Sequence, residues 1–429
     1  TMARNMKDSG IEWIGEIPEG WEVAPLKRFA SIQTGNTPTK TSDSNYYAST
    51  GIPWIKPDNL GYSHSISKTS EYLTSEGALC ARIMPPNTVY VCCIGSLGKV
   101  GYSSISCACN QQINALIFND LMFWKYGYYL TIAQESQYLL FGNGNVLQII
   151  NSTSQGNIAC VLPPLENQHL IACYLDSVCS DIEVLISKTR SSIEEYKKLK
   201  QAVITQAVTK GVRGEREMKN SGNPWFGQIP TDWKLSRVGL HFSIILGKML
   251  CNAPLNDTYT LEPYYCAADV HFDGVADGER KKMWFSPIEK DLYRVSVGDL
   301  LVVEGGAGAG GSAIVENQDS YTYIQNSIMI VRSKGNADNR YLRYLLEFLV
   351  KQGYIDVVCN KATIPHFTKD KLSCVPFCLC GEQEEIADYL DAKCAKIDGL
   401  IAKKEQLIKE LESYKKSLIY EVVTGKREV

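Results

Sequence analysis

An internal repeat constrains this chain more than any other feature of its sequence. Seven residues between positions 9 and 21 recur in the same order 212 positions later. The first set is Ser9, Gly10, Trp13, Gly15, Ile17, Pro18 and Trp21, and the second is Ser221, Gly222, Trp225, Gly227, Ile229, Pro230 and Trp233. This self-similarity indicates one structural unit used twice within 429 residues.

A second repeated segment, offset by 215 residues, has helical periodicity. Residues 168–209 match residues 383–424 without a gap, and apolar side chains recur in steps of three and four. The spacing predicts two long helices that pair through a heptad seam. The predicted seam residues are Ile171, Leu175, Val178, Ile182, Leu185, Tyr196, Leu199 and Val203 on the first helix, and Ile386, Leu390, Ile397, Leu400, Leu407, Leu411, Tyr414 and Leu418 on the second. The alternative is two amphipathic surface helices, each packed on its own body.

The repeat divides the chain into a shared frame and two bodies. The predicted ranges are an N-terminal frame segment (1–21), a first body (22–160), a first long helix (161–215), a second frame segment (216–233), a second body (234–375) and a second long helix (376–429). Both bodies contain short β-rich runs broken by Gly, Pro and Asn, which favours an α+β fold. If the helices pair with each other, the repeat predicts two pseudo-two-fold related globular domains separated by an antiparallel coiled coil.

No motif in the sequence indicates catalysis or a metal site. Residues 306–311 formally match G-x-G-x-x-G, but strand-like sequence follows them, which favours a glycine-rich hairpin over a dinucleotide site. Cys374, Cys378 and Cys380 near His366 lack the spacing of a structural zinc site, and packing is the favoured interpretation. We therefore expect no catalytic residue and no metal in this chain.

Charge and composition exclude some classes of protein. The formal net charge is -3, so the chain as a whole is not a basic nucleic-acid-binding protein, and any contact with DNA must be local. Fifteen cysteines are too few for a disulfide scaffold of this length, and no run of residues is apolar enough to span a membrane. These features predict a cytoplasmic protein without membrane contact.

The frame resembles that of the specificity subunit of type I restriction–modification enzymes. The resemblance lies in residues 13–21, in the lead-in 162–165 with Gln168 and Ile171, and in the segments 174–176 and 382–391. It covers nearly the whole chain. The sequence departs from the family pattern at Asn167, where Glu is frequent, and at residues 375–378, where the family has a Pro-Pro pair.

This resemblance implies a non-catalytic subunit that recognises double-stranded DNA. Each of two target recognition domains would read one half of a bipartite asymmetric site, and the helices would set the spacer and dock two modification (methyltransferase) subunits. S-adenosylmethionine, ATP and magnesium would belong to partner subunits, including ATP-dependent restriction subunits, and this chain would carry no cofactor. Two alternatives stay open: a stand-alone DNA adenine methyltransferase and a two-headed protein–protein adaptor.

Basic residues in expected loops of the two bodies are candidates for contact with DNA phosphates. They are Lys40, Lys56, Arg82 and Lys99 in the first body, and Lys248, Arg280, Lys281, Lys282 and Lys361 in the second. The amides of Asn110, Gln111, Gln325 and Asn326 could read base edges. Because these amide pairs recur in bodies that should read different bases, we expect them to brace the fold instead.

Overall fold

The computed structural model describes residues 4–38, 45–61, 65–142, 148–317, 321–359 and 365–429. The chain forms two compact units, which we call unit 1 (residues 1–191 with 404–429) and unit 2 (residues 192–403). Both combine helices with β-sheet, so the predicted α+β class is confirmed. Each long helix is divided between the units, and the six ranges predicted from the repeat stay a prediction.

Unit 1 contains thirteen strands and the first part of a long helix among its described residues. They are β1 (Met6–Asp8), β2 (Glu16–Pro18), β3 (Glu22–Pro25), β4 (Ala30–Thr34), β5 (Tyr47–Ala48), β6 (Ile52–Ile55), β7 (Tyr72–Leu73), α1 (Ser75–Cys80), β8 (Ile83–Met84), β9 (Thr88–Cys92), β10 (Val100–Ser103), β11 (Cys107–Cys109), β12 (Ile113–Phe118), α2 (Trp124–Ala133), α3 (Glu135–Phe141), α4 (Ser152–Gly156), β13 (Ala159–Leu162) and α5 (Leu165–Lys210).

Unit 2 follows the same plan and holds most of the remaining elements. They are β14 (Met218–Asn220), β15 (Gln228–Pro230), β16 (Lys234–Arg237), α6 (Val238–His241), β17 (Phe242–Leu246), β18 (Thr260–Tyr265), β19 (Val270–His271), β20 (Gly274–Val275), β21 (Lys282–Phe285), α7 (Pro287–Tyr293), β22 (Leu300–Val303), β23 (Ser312–Ile314), β24 (Tyr323–Ile324), β25 (Ile328–Ser333), α8 (Asn339–Lys351), α9 (Tyr354–Val358), α10 (Lys369–Ser373), β26 (Pro376–Leu379) and α11 (Gln383–Val423).

A four-stranded antiparallel sheet forms the centre of each unit. The strand order is β10-β9-β12-β4 in unit 1 and β23-β22-β25-β17 in unit 2, so the two sheets have the same topology. Every residue of β9 and β22 is buried, and both strands are rich in valine. β-Branched side chains pack well in a central strand, which explains why these runs form the middle of each sheet.

The glycine-rich segment between β22 and β23 is a hairpin turn, as the sequence predicted. The two strands pair antiparallel, with Leu300 opposite Ile314. No helix begins at the glycines, so the segment lacks the geometry of a dinucleotide-binding turn. Cys378 lies in the buried core of unit 2, and no group of three His, Cys, Asp or Glu residues is placed to bind a metal in the part of the chain that the structure describes.

The two long helices pair antiparallel. α5 has 46 residues and α11 has 41, which gives lengths of about 69 and 62 Å at 1.5 Å per residue. In unit 1, Glu183 bonds Lys415 and Arg190 bonds Glu412, so the numbering falls on α11 as it rises on α5. The predicted antiparallel pairing is confirmed.

The predicted heptad seam is wrong in part, because the inward-facing positions follow an eleven-residue spacing. The facing isoleucines are Ile171, Ile182, Ile193 and Ile204 on α5, and Ile386, Ile397, Ile408 and Ile419 on α11. Several predicted seam residues are exposed instead: Leu185, Leu199, Leu400, Leu407 and Tyr414. A step of 3.5 residues drifts by about 20° per heptad on an α-helix, so a strict heptad rotates away from the contact line, whereas eleven residues complete three turns.

The other predicted seam residues lie at or beside the core. Those buried in their own unit are Ile171, Leu175, Ile182, Ile386, Leu390, Ile397 and Leu418. Those half-buried are Val178, Tyr196, Val203 and Leu411. The last turns of α11 lie in the core of unit 1, where Leu418 and Val422 pack with Trp21. Among the described residues, no helix combines the length and the apolar character needed to cross a membrane.

Candidate nucleic-acid interface

Each body is held to a long helix by a repeated tyrosine–aspartate contact. In unit 1, Tyr129 Oη donates to Asp176 Oδ1 at 2.8 Å, and in unit 2, Tyr344 Oη donates to Asp391 Oδ1 at 2.8 Å. Burial, together with the neighbouring carboxylate, raises the pKa of both phenols well above the ordinary value. Both tyrosines therefore stay protonated donors that bond α2 to α5 and α8 to α11.

A second repeated contact fixes the start of the same body helices. Gln168 Oε1 accepts a hydrogen bond from the backbone N of Phe123 at 2.7 Å, and Gln383 Oε1 accepts one from the backbone N of Asp338 at 3.0 Å. Both glutamines are buried. A side chain of the long helix thus takes up a main-chain donor at the first turn of the body helix, where the helix itself offers no acceptor.

In each unit, three chain segments meet at the end of the central sheet where β9 or β22 ends and β12 or β25 begins. We call this region the rim. Rim 1 comprises residues 93–99, 110–112 and 148–150, and rim 2 comprises residues 304–311, 325–327 and 365–367. In rim 1, the backbone N of Cys93 donates to the carbonyl of Gln112 at 2.8 Å, and Ile150 N donates to the carbonyl of Cys93 at 3.0 Å. Gly95 N donates to the carbonyl of Gln148 at 3.0 Å, which joins the glycine turn to the third segment.

Rim 2 has the same main-chain hydrogen bonds. Glu304 N donates to the carbonyl of Ser327 at 2.8 Å, and Phe367 N donates to the carbonyl of Glu304 at 2.6 Å. Gly306 N donates to the carbonyl of Pro365 at 3.2 Å. The two rims are therefore one backbone design built from different sequence.

The amide residues brace the rims, as their recurrence in both bodies predicts. Asn110 Oδ1 accepts from the backbone N of Gln112 at 3.1 Å, and Gln325 Oε1 accepts from the backbone N of Ser327 at 3.3 Å. Gln111 is hydrogen-bonded to Thr37. These bonds close the turn that leads into the central strand in each unit, which gives the amides a structural role at matched positions.

A glycine follows an outer strand of each central sheet, Gly35 after β4 and Gly247 after β17. Because it has no side chain, the backbone at this point can lie close to the rim. A Cβ added to Gly35 would lie 2.2 Å from the carbonyl oxygen of Cys109, and one added to Gly247 would lie 2.4 Å from that of Gln325. No real Cβ fits at such distances, so both positions require glycine. The segments that follow residues 35 and 247 are thereby held against the amide turns.

The side chains displayed on the shared backbone differ. In rim 1, the carbonyl of Lys99 accepts a hydrogen bond from the backbone N of Cys92 at 2.9 Å. At the matching place in rim 2, the carbonyl of Gly311 accepts one from the backbone N of Val303 at 2.8 Å. Rim 1 therefore carries an exposed lysine at a point where rim 2 has no side chain. Two surfaces of equal geometry and unequal chemistry suit the recognition of two related but different targets.

Comparison with known proteins finds similarity to one kind of protein. A family model described as the type I restriction modification DNA specificity domain matches residues 18–195. The putative type I restriction enzyme MjaX specificity subunit of Methanocaldococcus jannaschii is 27% identical over 442 aligned positions, which cover 96% of this chain and 95% of that protein. Over nearly its whole length, the chain is similar to type I restriction enzyme specificity subunits. The type I restriction enzyme MjaVIII specificity subunit of the same organism is 24% identical, again over 96% of this chain and 93% of that protein.

The fold of the chain also matches a solved structure. A chain from a study of complex assembly and conformational transition of the type I R-M system aligns with a TM-score of 0.73 at 16% identity. The alignment covers 96% of this chain and 99% of that one. The shared fold therefore includes both bodies and both long helices.

The nine basic residues predicted to contact DNA fall into three groups in the structure. Lys40 and Lys361 lie outside the described residues. Four others bond within their own unit: Lys56 to Glu71, Arg82 to the carbonyl of Thr34, Lys248 to Glu289 and Arg280 to Asp269. Lys99, Lys281 and Lys282 are exposed and have no ion pair within the described ranges. Lys99 alone of these three lies in a rim, and the DNA contacts stay a prediction.

Lys248 shows why sequence overestimates the number of available cations. Its Nζ lies 2.6 Å from Glu289 Oε2 and 4.9 Å from the ring centre of Tyr259, and its side chain is only 10% exposed. The charge is thus neutralised inside the body. A lysine beside a rim is a candidate for phosphate contact only if no carboxylate of its own unit already binds it.

Asn167, where the sequence departs from the family pattern, corresponds to Glu382 in unit 2. Glu382 is buried, and its Oε1 accepts from Trp233 Nε1 at 2.9 Å and bonds Arg216 at 2.6 Å. Burial would raise the pKa of this carboxyl, but the hydrogen bonds from Arg216 and Trp233 outweigh it and hold the pKa below its ordinary value. Asn167 offers no charge at the same place, so the two halves of the frame are not equivalent electrostatically.

The residues that tie the bodies to the helices were not predicted from the sequence. Tyr129 and Tyr344 are separated by 215 residues, the offset of the long helices, as are Lys125 and Arg340, which bond Asp176 and Asp391 respectively. Extending the 215-residue comparison upstream of Gln168 would have found both pairs. The third segment of each rim has no such signal, because only main-chain atoms hold it.

Proposed function

We propose that this chain is the non-catalytic DNA sequence-recognition subunit of a type I restriction–modification complex, and that each body reads one half of a bipartite asymmetric site. The observation that carries this proposal is the pair of rims. Their main-chain hydrogen bonds are the same, so both rims can approach DNA in the same way. Their exposed side chains differ, so the two half-sites differ in sequence.

The proposal extends to partners and cofactors. Two modification subunits dock on the frame, methylate adenine in the recognised site with S-adenosylmethionine, and supply part of the phosphate contact that a chain of net charge -3 lacks. ATP-dependent restriction subunits complete the nuclease, and ATP and magnesium belong to those partners. The complex acts on DNA in the cytoplasm.

Mapping the methylated adenines tests the proposal. The chain is combined with the modification subunit of its own system, incubated with genomic DNA and S-adenosylmethionine, and the modified positions are sequenced. We expect one split asymmetric sequence with a constant spacer. Exchanging residues 234–375 for the corresponding body of a relative should change one half of that sequence and leave the other unchanged.

Two outcomes would replace the proposal with an alternative. Methyl transfer by the purified chain without any partner would make it a stand-alone adenine methyltransferase. Loss of all sequence preference in the DNA, with the modification subunits still bound, would favour a two-headed protein adaptor. A palindromic target would contradict the assignment of one half-site to each body.

A further inference from the structure

Glu304 lies at the centre of rim 2. Its backbone N donates to the carbonyl of Ser327 at 2.8 Å, and its carbonyl accepts from the backbone N of Phe367 at 2.6 Å. The residue is therefore bonded to both other segments of the rim. Because these main-chain contacts hold its backbone, the point from which its side chain leaves the rim is also fixed.

No other long side chain belongs to the turn that begins at Glu304. Residues 305–311 are all glycine or alanine, so Glu304 has the only side chain of the segment 304–311 that extends beyond a methyl group. Ala307 and Gly308, at the middle of the turn, are exposed. A ligand can therefore come close to the backbone of the turn, and the carboxylate of Glu304 is the one side-chain functional group that the turn offers it.

This carboxylate is an exception among the acids of its body. In the described parts of residues 234–375, seven carboxylates are buried or half-buried, and six of them form an ion pair with a lysine or arginine of the same unit. The six pairs are Glu262 with Lys290, Asp269 with Arg280, Glu289 with Lys248, Asp299 with Arg332, Asp338 with Arg340, and Glu347 with Arg343. Glu304 is half-buried and has neither an ion pair nor a side-chain hydrogen bond with any described residue.

The chemistry of a carboxylate limits what its partner can be. An ionised carboxylate only accepts hydrogen bonds, so it needs a donor, and the anionic phosphates of DNA repel it. In the major groove the donors are the amino groups of two bases, N4 of cytosine and N6 of adenine, whereas guanine and thymine present acceptors there. A carboxylate that faces DNA is therefore matched by a base amino group.

The matching residue of rim 1 has no such group. Cys93 makes the same two main-chain hydrogen bonds as Glu304, to the carbonyl of Gln112 and from the backbone N of Ile150, but it is only 3% exposed. Rim 1 thus offers a buried thiol at the point where rim 2 offers a carboxylate. A requirement for an amino group at this point applies to one half-site and not to the other.

We propose that Glu304 is a specificity-determining residue of unit 2, whose carboxylate accepts a hydrogen bond from the amino group of one cytosine or adenine in the half-site that unit 2 reads. This inference rests on the proposed function, and it names the base chemistry of one position in the site. It accounts for an acid without a partner in a turn that otherwise lacks functional side chains.

Two substitutions in the full chain, combined with the modification subunit of its own system, test the assignment. Glu304→Ala removes the acceptor, so one position in the half-site of unit 2 should lose about tenfold or more of its preference for cytosine or adenine, and the half-site of unit 1 should stay unchanged. Glu304→Gln keeps the side-chain length and adds a donor, so it should favour adenine at that position, because an amide pairs with adenine through two hydrogen bonds. Sequencing the methylated positions in genomic DNA measures both effects.

DNA duplexes that lack one amino group show which base is bound. Purine replaces adenine, or 2-pyrimidinone replaces cytosine, at the position that Glu304→Ala affects. The replacement should weaken binding by the wild-type complex about tenfold more than binding by the Glu304→Ala complex, because the hydrogen bond is already absent in the variant. Equal weakening of the two complexes would show that Glu304 does not bond this amino group.

The control is Glu316→Ala, which removes an exposed acid of the same body outside rim 2. This variant should keep the wild-type sequence preference. All variants should keep the wild-type melting temperature and, by native mass spectrometry, their modification subunits. The inference is overturned if Glu304→Ala keeps every preferred base, if it changes the affinity for all DNA sequences alike, or if it releases the modification subunits, which would place the carboxylate against a protein.

Failure of the inference and failure of the proposed function give different results. If the wild-type complex methylates a split asymmetric site and both Glu304 variants methylate the same site, only the role of Glu304 is wrong. If the wild-type complex itself has no sequence preference, the recognition function fails, and the inference fails with it.

Discussion

Lys415 Nζ lies 2.7 Å from Glu183 Oε1 across the paired helices of unit 1, and the lysine is almost fully buried. In unit 2, Lys200 Nζ lies 2.7 Å from Asp398 Oδ2. The two lysines are 215 residues apart, and so are the two acids. In unit 1 the lysine lies on α11 and the acid on α5, whereas in unit 2 the lysine lies on α5 and the acid on α11. The pseudo-two-fold symmetry of the sequence thus reaches individual ion pairs.

Replacing Glu183 with glutamine should destabilise unit 1 by about 1–2 kcal/mol, because the buried Lys415 loses this carboxylate. Urea unfolding followed by circular dichroism measures the change. The matched control is Glu412→Gln, which breaks the exposed pair with Arg190 and should cost no more than about 0.5 kcal/mol. Equal losses in the two variants would contradict the assigned difference in burial.

The eleven-residue spacing predicts how the helices tolerate deletions. Removing residues 188–198 from α5 and 403–413 from α11 takes out one isoleucine repeat from each helix, about 16 Å at 1.5 Å per residue. The matched deletion should fold with a cooperative thermal transition. Either deletion alone should shift the helices out of register and lower the melting temperature well below that of the matched chain. Equal stability of all three proteins would show that α5 and α11 do not need each other.

Glu382 predicts an acid-sensitive contribution to the stability of unit 2. Its folded-state pKa is below the ordinary value of 4.5, so its contribution is complete above pH 4.5 and is lost as the pH falls through the lowered pKa. Glu382→Gln should lower the free energy of unfolding by about 1–3 kcal/mol at pH 7 and flatten the acid limb of the stability profile. Urea titrations between pH 7 and pH 3 measure both.

Asn167 provides the matched test in unit 1. Asn167→Glu places a carboxylate at the position that corresponds to Glu382 in the repeat. The counterpart of Trp233 in unit 1 is Trp21, whose ring has Arg4 5.3 Å from its centre. We expect this substitution to raise the melting temperature and to introduce the acid sensitivity that Glu382→Gln removes. No change in either quantity would mean that the two halves of the frame pack differently around this position.

Lys99 predicts a sequence-independent contribution of rim 1 to DNA binding. In the complex with modification subunits, Lys99→Gln should weaken binding to all DNA sequences alike and reduce the slope of log K against log salt by about 1. Fluorescence anisotropy at several salt concentrations measures the slope. The control is Lys68→Gln, an exposed lysine of the same body outside rim 1. A change in preferred bases, without a change in slope, would make Lys99 a base-reading residue.

The repeat made much of the fold predictable. Matching Trp21 with Trp233 located the two frames, and periodicity located both long helices, because these features are local in sequence. The hairpin at Gly306 was predictable for the same reason, since strand-like residues lie on both sides of it. The same local signal misplaced Leu185 and Leu199, because steps of three and four fit seven-residue and eleven-residue spacings almost equally well over a few turns.

The candidate interface was less predictable, because its geometry depends on long-range main-chain contacts. Nothing in the sequence around Gln148 or Pro365 shows that their carbonyls accept hydrogen bonds from the glycine turns. Likewise, the ion pair that neutralises Lys248 joins residues 41 positions apart. Sequence identified cations correctly, but only three-dimensional structure shows which carboxylate each one already binds.

The division of the chain into units has a consequence for its synthesis. Unit 2 is one continuous stretch, residues 192–403, whereas unit 1 needs residues 404–429 to complete its core. The phenol of Tyr126 bonds the carbonyl of Val423, so a contact at the centre of the first body forms only when the end of α11 has been made. During synthesis, all residues of unit 2 are therefore made before those of unit 1 are complete, and unit 1 can close its core only after the last turns of α11 have been made.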